Sequence, residues 1–112
     1  MTEHRRAQRK RADIVIQVTN AITGEIMGRI GNLSAEGLML ITSRPVRDDA
    51  LYQFIFHLPN DHGPPHTVEV GAHEQWSEPA SAPGQYWAGF RFIDISEADA
   101  AVLGQWLSES EA

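Results

Sequence analysis

The stretch Leu51-Tyr52-Gln53-Phe54-Ile55-Phe56-His57-Leu58 decides how this chain folds. Tyr52, Phe54, Phe56 and Leu58 fall on one face and Leu51, Ile55 and His57 on the other, the period of two that marks a strand. Aromatic and β-branched side chains suit a pleated, half-buried surface, so the run reads as a long central β-strand. Pro59 to Pro65 then collects Asn60, Asp61, His62 and Gly63 between prolines, the chemistry of an exposed hairpin loop. The chain returns through His66 to His73, with Val68, Val70 and Ala72 alternating against polar neighbours, and Trp76 ends that segment.

Working back from this pair, Leu38-Met39-Leu40-Ile41-Thr42 is a continuous apolar segment of strand length, and Ser43 to Ala50, with Pro45 and paired Asp48 and Asp49, is a loop. Ile14 to Val18 and Glu25 to Ile30 alternate around a turn at Asn20 to Gly24, close enough to form an antiparallel hairpin. Gly28 and Gly31 weaken the second of these runs and point to a bulge or a close backbone approach. Working forward, Ser77 to Gly84 reads as a surface loop. Gln85 to Ile95 supplies a last strand, with Tyr86, Ala88, Phe90 and Phe92 opposite Trp87, Gly89, Arg91 and Ile93. Ser96 as N-cap, with Asp99 three residues on, starts a helix whose stripe of Val102, Leu103, Trp106 and Leu107 should pack over one end of the sheet. The expected fold is all-β: a six-stranded antiparallel barrel over residues 12–95, closed by a C-terminal α-helix over 96–109 and preceded by a flexible arm over 1–11, all in a single domain 1–112.

Apolar residues make up 42% of the chain and charged residues 21%, which excludes disordered and fibrous classes. There are no cysteines, so disulfides, thiolate metal sites and a cysteine nucleophile are excluded; with no apolar h-region or bilayer-length span, a cytoplasmic protein without membrane insertion is expected. Catalytic signatures are missing too: no Gly-x-Ser-x-Gly elbow, no His-Glu-x-x-His and no phosphate-cradling glycine loop, so no enzyme is expected. His62 and His66 are four apart, but Gly63, Pro64 and Pro65 forbid the helix that would align them on a metal, and neither metal nor cofactor is expected.

Charge is distributed unevenly. Arg5, Arg6, Arg9, Lys10 and Arg11 hold five of the nine basic residues, although the net charge is -6. An acidic body repels extended polyanions, so DNA and RNA are not expected partners, and single-stranded nucleic-acid binding through the arm and tryptophans is disfavoured. A small dianion held by the arm is compatible with this field. Guanidinium forks match phosphate oxygens and the O6/N7 edge of guanine. Further on, Asn32-Leu33-Ser34-Ala35-Glu36-Gly37 links two strand-like runs; Asn and Ser suit a turn because their side chains bond nearby backbone, and Gly37 fits a position needing positive φ or no side chain.

Arg5 and Arg9 in an Arg-x-x-x-Arg spacing, followed by Asn32, Ser34 and Gly37 in an Asn-x-Ser-x-x-Gly segment, closely resemble the two signatures of the PilZ domain, a family of bacterial receptors for cyclic di-GMP. Gly89 and Phe92 in the last strand resemble that family too. The resemblance implies the six-stranded barrel and a ligand, cyclic di-GMP, bound by Arg5, Arg9, Asn32, Ser34 and Gly37. Arg5 and Arg9 would wrap over it, Asn32 and Ser34 would bond a guanine from the barrel surface, and Gly37 would keep the turn open; Arg6, beside them, is expected to join the site by adding charge or stacking on a base. Asn32 stands where the family also uses Asp. It further implies an adaptor that transmits second-messenger level to an unidentified bacterial effector protein controlling motility, adhesion or biofilm growth. The alternative is a PilZ-like protein-interaction module that does not sense nucleotide.

Overall fold

The computed structural model describes residues 14–111 of the chain. Six strands, β1 (Gln17–Asn20), β2 (Ile26–Leu33), β3 (Gly37–Thr42), β4 (Leu51–Leu58), β5 (His66–Pro79) and β6 (Tyr86–Ile95), are followed by α1 (Glu97–Glu111). They close into an antiparallel barrel in the order β1-β2-β3-β6-β5-β4. The flexible arm expected over residues 1–11 lies outside the described residues.

The decisive run forms β4 with the bounds its alternation gives, and pairs with β5 without a break from Leu51↔His73 to Leu58↔His66. Phe54, Phe56 and Leu58 point inward with Val68 and Val70 and are fully buried beside Val18 and Leu40. The Phe54 and Phe90 rings meet edge-on at 4.9 Å, so β4 and β6 grip one another across the interior. At the first hairpin, Asn20 Oδ1 accepts the N–H groups of Ile22 and Thr23, and Gly24 takes φ 80° to complete the turn.

α1 begins as expected: the Ser96 hydroxyl accepts the Asp99 N–H at 3.0 Å. Asp99 in turn accepts the Glu69 N–H at 3.1 Å, tying the first turn to β5. Leu103 enters the core, with Val102, Trp106 and Leu107 packed around it, and the Trp106 indole N–H donates to the Pro59 carbonyl at 2.9 Å.

Three strand boundaries lie three residues from where the sequence pattern puts them. β1 starts at Gln17, because pairing with Arg29 starts there; Ile14 and Val15 ahead of it stay exposed. β2 runs on to Leu33, which places Asn32 on a strand opposite Met39 and not in the following turn. β5 continues past Trp76 to Pro79, since β6 satisfies its backbone as far as Pro79↔Tyr86; the proline ends the strand, where a missing N–H costs least. The surface loop therefore shrinks to residues 80–85. Among the described residues no helix is long and apolar enough to cross a membrane.

Candidate functional site

Paired residues of neighbouring strands share a face, so the register tells which side chains meet outside the barrel. Leu38, Leu40, Ala88 and Phe90 point inward, leaving Gly37, Met39, Gly89 and Arg91 on the outer surface. Successive pairings then carry one outer row across four strands, Asn32↔Met39, Met39↔Gly89 and Gly89↔Trp76, and a second row runs from Gly37 to Arg91 to His73. Gly89 leaves a gap in the first row, and the Trp76 indole lies over it; a Cβ on Gly89 would collide with that ring. Trp76 is nonetheless 43% exposed, offering a ring to solvent.

The Ser34–Gly37 turn forms the opposite side. The Ser34 N–H donates to the Gly37 carbonyl at 2.9 Å, while the Ser34 hydroxyl donates to the same carbonyl at 3.3 Å and accepts the Glu36 N–H at 3.2 Å. The Phe92 N–H donates to the Glu36 carbonyl at 2.8 Å, fastening the turn to β6. Gly37 is glycine because of this closeness: its φ is not positive, but a Cβ there would run into the Phe90 carbonyl.

Between turn and indole lies an open cleft of about 350 Å³ whose lining includes Asn32, Ser34, Gly37, Trp76, Gly89 and Arg91, together with Glu36 and Gln75. A carboxamide offers donors and an acceptor, a guanidinium offers a charged fork, and an exposed indole offers a stacking face. Together they suit a flat heterocycle with polar edges and a nearby anionic group. Among the described residues no cluster of His, Asp and Glu could hold a metal ion.

Three residues singled out in the sequence, Asn32, Ser34 and Gly37, are brought together on this cleft. Arg5, Arg6 and Arg9 lie outside the described residues. The chain they precede enters beside β2: the Ile16 carbonyl accepts the Ile30 N–H at 2.8 Å, and Gln17 pairs with Arg29. Trp76, Arg91 and Gln75 were not singled out as site residues. Alternation along the last strand puts Arg91 on the same face as Gly89, but only the pairing of β3 with β6 sets it beside Gly37.

A family model for the PilZ domain matches residues 3–109. Among solved structures, the inhibitor of motility MotI/DgrA of Bacillus subtilis superposes with a TM-score of 0.73 at 16% sequence identity, covering 87% of this chain and 46% of that one. The chain thus spans about half the length of that protein. No curated protein matches in sequence.

Proposed function

Because the chain belongs to the PilZ domain family, we propose that it is a receptor for cyclic di-GMP that binds the nucleotide in the cleft between the Ser34–Gly37 turn and Trp76. The observation that carries this reading is the convergence of Asn32, Ser34 and Gly37 with an exposed indole and the Arg91 guanidinium around one cleft. Asn32 meets a guanine edge, Trp76 supports a base plane and Arg91 meets a phosphate. Ser34 acts chiefly by holding the turn, since its hydroxyl already donates within it. Arg9 precedes Ile16, whose carbonyl holds the Ile30 N–H, by seven positions, a reach of up to about 25 Å, so Arg5, Arg6 and Arg9 can close over a ligand from the β2 side of the cleft. The bound form then presents a changed surface to a partner protein; the fold shared with an inhibitor of motility supports an adaptor role in motility control.

Calorimetric titration with cyclic di-GMP, with GTP and a short oligonucleotide as controls, tests the reading; binding of cyclic di-GMP alone is expected. Arg9→Ala should lower affinity roughly tenfold or more, since a hydrogen bond to a charged group is worth about 1.5–3 kcal/mol. A folded Arg9→Ala variant that binds as tightly as the parent removes the arm from the site. Silence toward every nucleotide would leave the protein-interaction module.

A further inference from the structure

The cleft does not use Glu74, yet this carboxylate is only 3% exposed, on the inner face of β5. A buried carboxylate is tolerated when its oxygens are hydrogen-bonded, and both of these are. Oε1 accepts the backbone N–H of Asp49 at 2.6 Å, and Oε2 accepts the Ser77 hydroxyl at 2.5 Å. The Glu74 N–H donates to the Ala50 carbonyl at 2.9 Å. One residue therefore holds both the loop between β3 and β4 and the far end of β5.

The position of that hold matters. The register of β5 against β6 shifts between Glu74 and Trp76, and the bond from Ser77 to Glu74 closes across the shift. Gln75, inside it, hydrogen-bonds the His73 ring at 2.9 Å and donates to the His73 carbonyl at 3.2 Å. His73 in turn meets Asp49 Oδ1 at 2.6 Å. Asp49 has φ 60°, a left-handed conformation that non-glycine residues seldom adopt, and it is gripped at its N–H by Glu74 and at its side chain by His73. Trp76 is thus flanked by Ser77, bonded to the buried Glu74 carboxylate, and by Gln75, bonded to the exposed His73–Asp49 pair, and both sets of bonds meet at Asp49 in loop 43–50.

We propose that Glu74 is the positioning residue of the cleft: its carboxylate locks the bulge that lays Trp76 over Gly89, and through Asp49 it couples the shape of the cleft to the conformation of loop 43–50. This rests on the cleft being the cyclic di-GMP site. A carboxylate suits the place because both partners are donors. A carboxamide preserves the arrangement, its oxygen accepting the Asp49 N–H and its NH₂ donating to the oxygen of a reoriented Ser77 hydroxyl; alanine preserves neither bond.

The test compares Ser77→Ala, Glu74→Gln and Glu74→Ala with the parent, following the three assigned indole N–H resonances by NMR, cyclic di-GMP affinity by calorimetry and the melting temperature. Ser77→Ala, which cuts a single tether at the strand margin, should move or broaden the Trp76 resonance while leaving those of Trp87 and Trp106 in place. It should weaken cyclic di-GMP about threefold to tenfold, the range of a neutral hydrogen bond. Glu74→Gln should stay within about threefold of the parent, and Glu74→Ala should exceed the loss in Ser77→Ala. Saturating ligand should slow exchange of the Asp49 amide proton in the parent. An unmoved Trp76 resonance in both Ser77→Ala and Glu74→Ala overturns the positioning role, and it can be read even if the parent binds no cyclic di-GMP, an outcome that would instead refute the ligand assignment. An Asp49 amide that exchanges equally fast with and without bound ligand overturns the link to the loop.

Discussion

The two flanks of the cleft meet the same demand in opposite ways. The two strands that flank the cleft, β2 and β5, each lose register just before a cleft side chain, between Ile30 and Asn32 on β2 and between Glu74 and Trp76 on β5. Bulges re-aim side chains, and both of these do so at the cleft. On β2 the irregularity is permitted by a missing side chain: Gly31 leaves room that the tips of Met39 and Ile41 fill. On β5 it is imposed by a carboxylate drawn into the barrel wall and bonded across the shift to Ser77. A flank built from absence adapts, because side-chain tips can yield. One built from a satisfied buried charge does not, because every departure leaves a donor or an oxygen without a partner.

Substitutions can break or sharpen this contrast. The largest effect is expected from Gly37→Val, where the new side chain meets the Phe90 carbonyl, a backbone atom that only a parting of β3 from β6 can relieve. It should cost about 3 kcal/mol in chemical denaturation, the upper range for overpacking. Next comes Gly89→Ala, which displaces the Trp76 ring and leaves the backbone alone. Base–aromatic stacking is worth about 1–3 kcal/mol, so cyclic di-GMP affinity should fall roughly tenfold in titration, with stability changed by less than about 1 kcal/mol. Ser34→Ala removes two hydroxyl bonds of the turn, at 3.2 and 3.3 Å, and should weaken binding by about 0.5–1.5 kcal/mol, less than Arg9→Ala. Smallest is Gly31→Ala: the nearest neighbour is the flexible tip of Met39, at 2.6 Å from an ideal Cβ, and a melting curve should register no more than about 0.5 kcal/mol. A loss from Gly31→Ala as large as that from Gly37→Val would erase the distinction between yielding and rigid contacts.

The same contrast separates what the sequence discloses from what it withholds. Alternation located five of the strands, β4 to the residue, because burial on one face leaves a period of two in the chain itself, and a continuous apolar run located β3. Gly31 announced an irregular strand, since a glycine inside a strand forgoes side-chain packing and so tends to mark a bulge or a close approach. Asn32, Ser34 and Gly37 were legible as a group because they are close in sequence. Trp76 and Arg91 were not, because their neighbours in the cleft are contributed by strands far away in the chain, and alternation gives a face without giving a register. Glu74 was the least legible: one acid among polar neighbours in a strand looks solvated until pairing turns it inward and brings Asp49 to it across 25 positions. Asn32 shows the limit from the other side, since its neighbours suggested a turn and the ladder with Met39 made it part of a strand.

Closure of the sheet decides how a protein partner can attach. A strand at an open edge offers a row of free N–H and C=O groups, and many peptides dock by adding themselves to such a row. Here β1 pairs with β4 as well as β2, and β3 pairs with β6, so among the described residues the ladder comes full circle and every strand has a neighbour on both sides. Most of the surface then on offer is made of side chains and loops, whose shape can differ between two states of the molecule, and not of main-chain hydrogen-bonding groups, which would be the same in both.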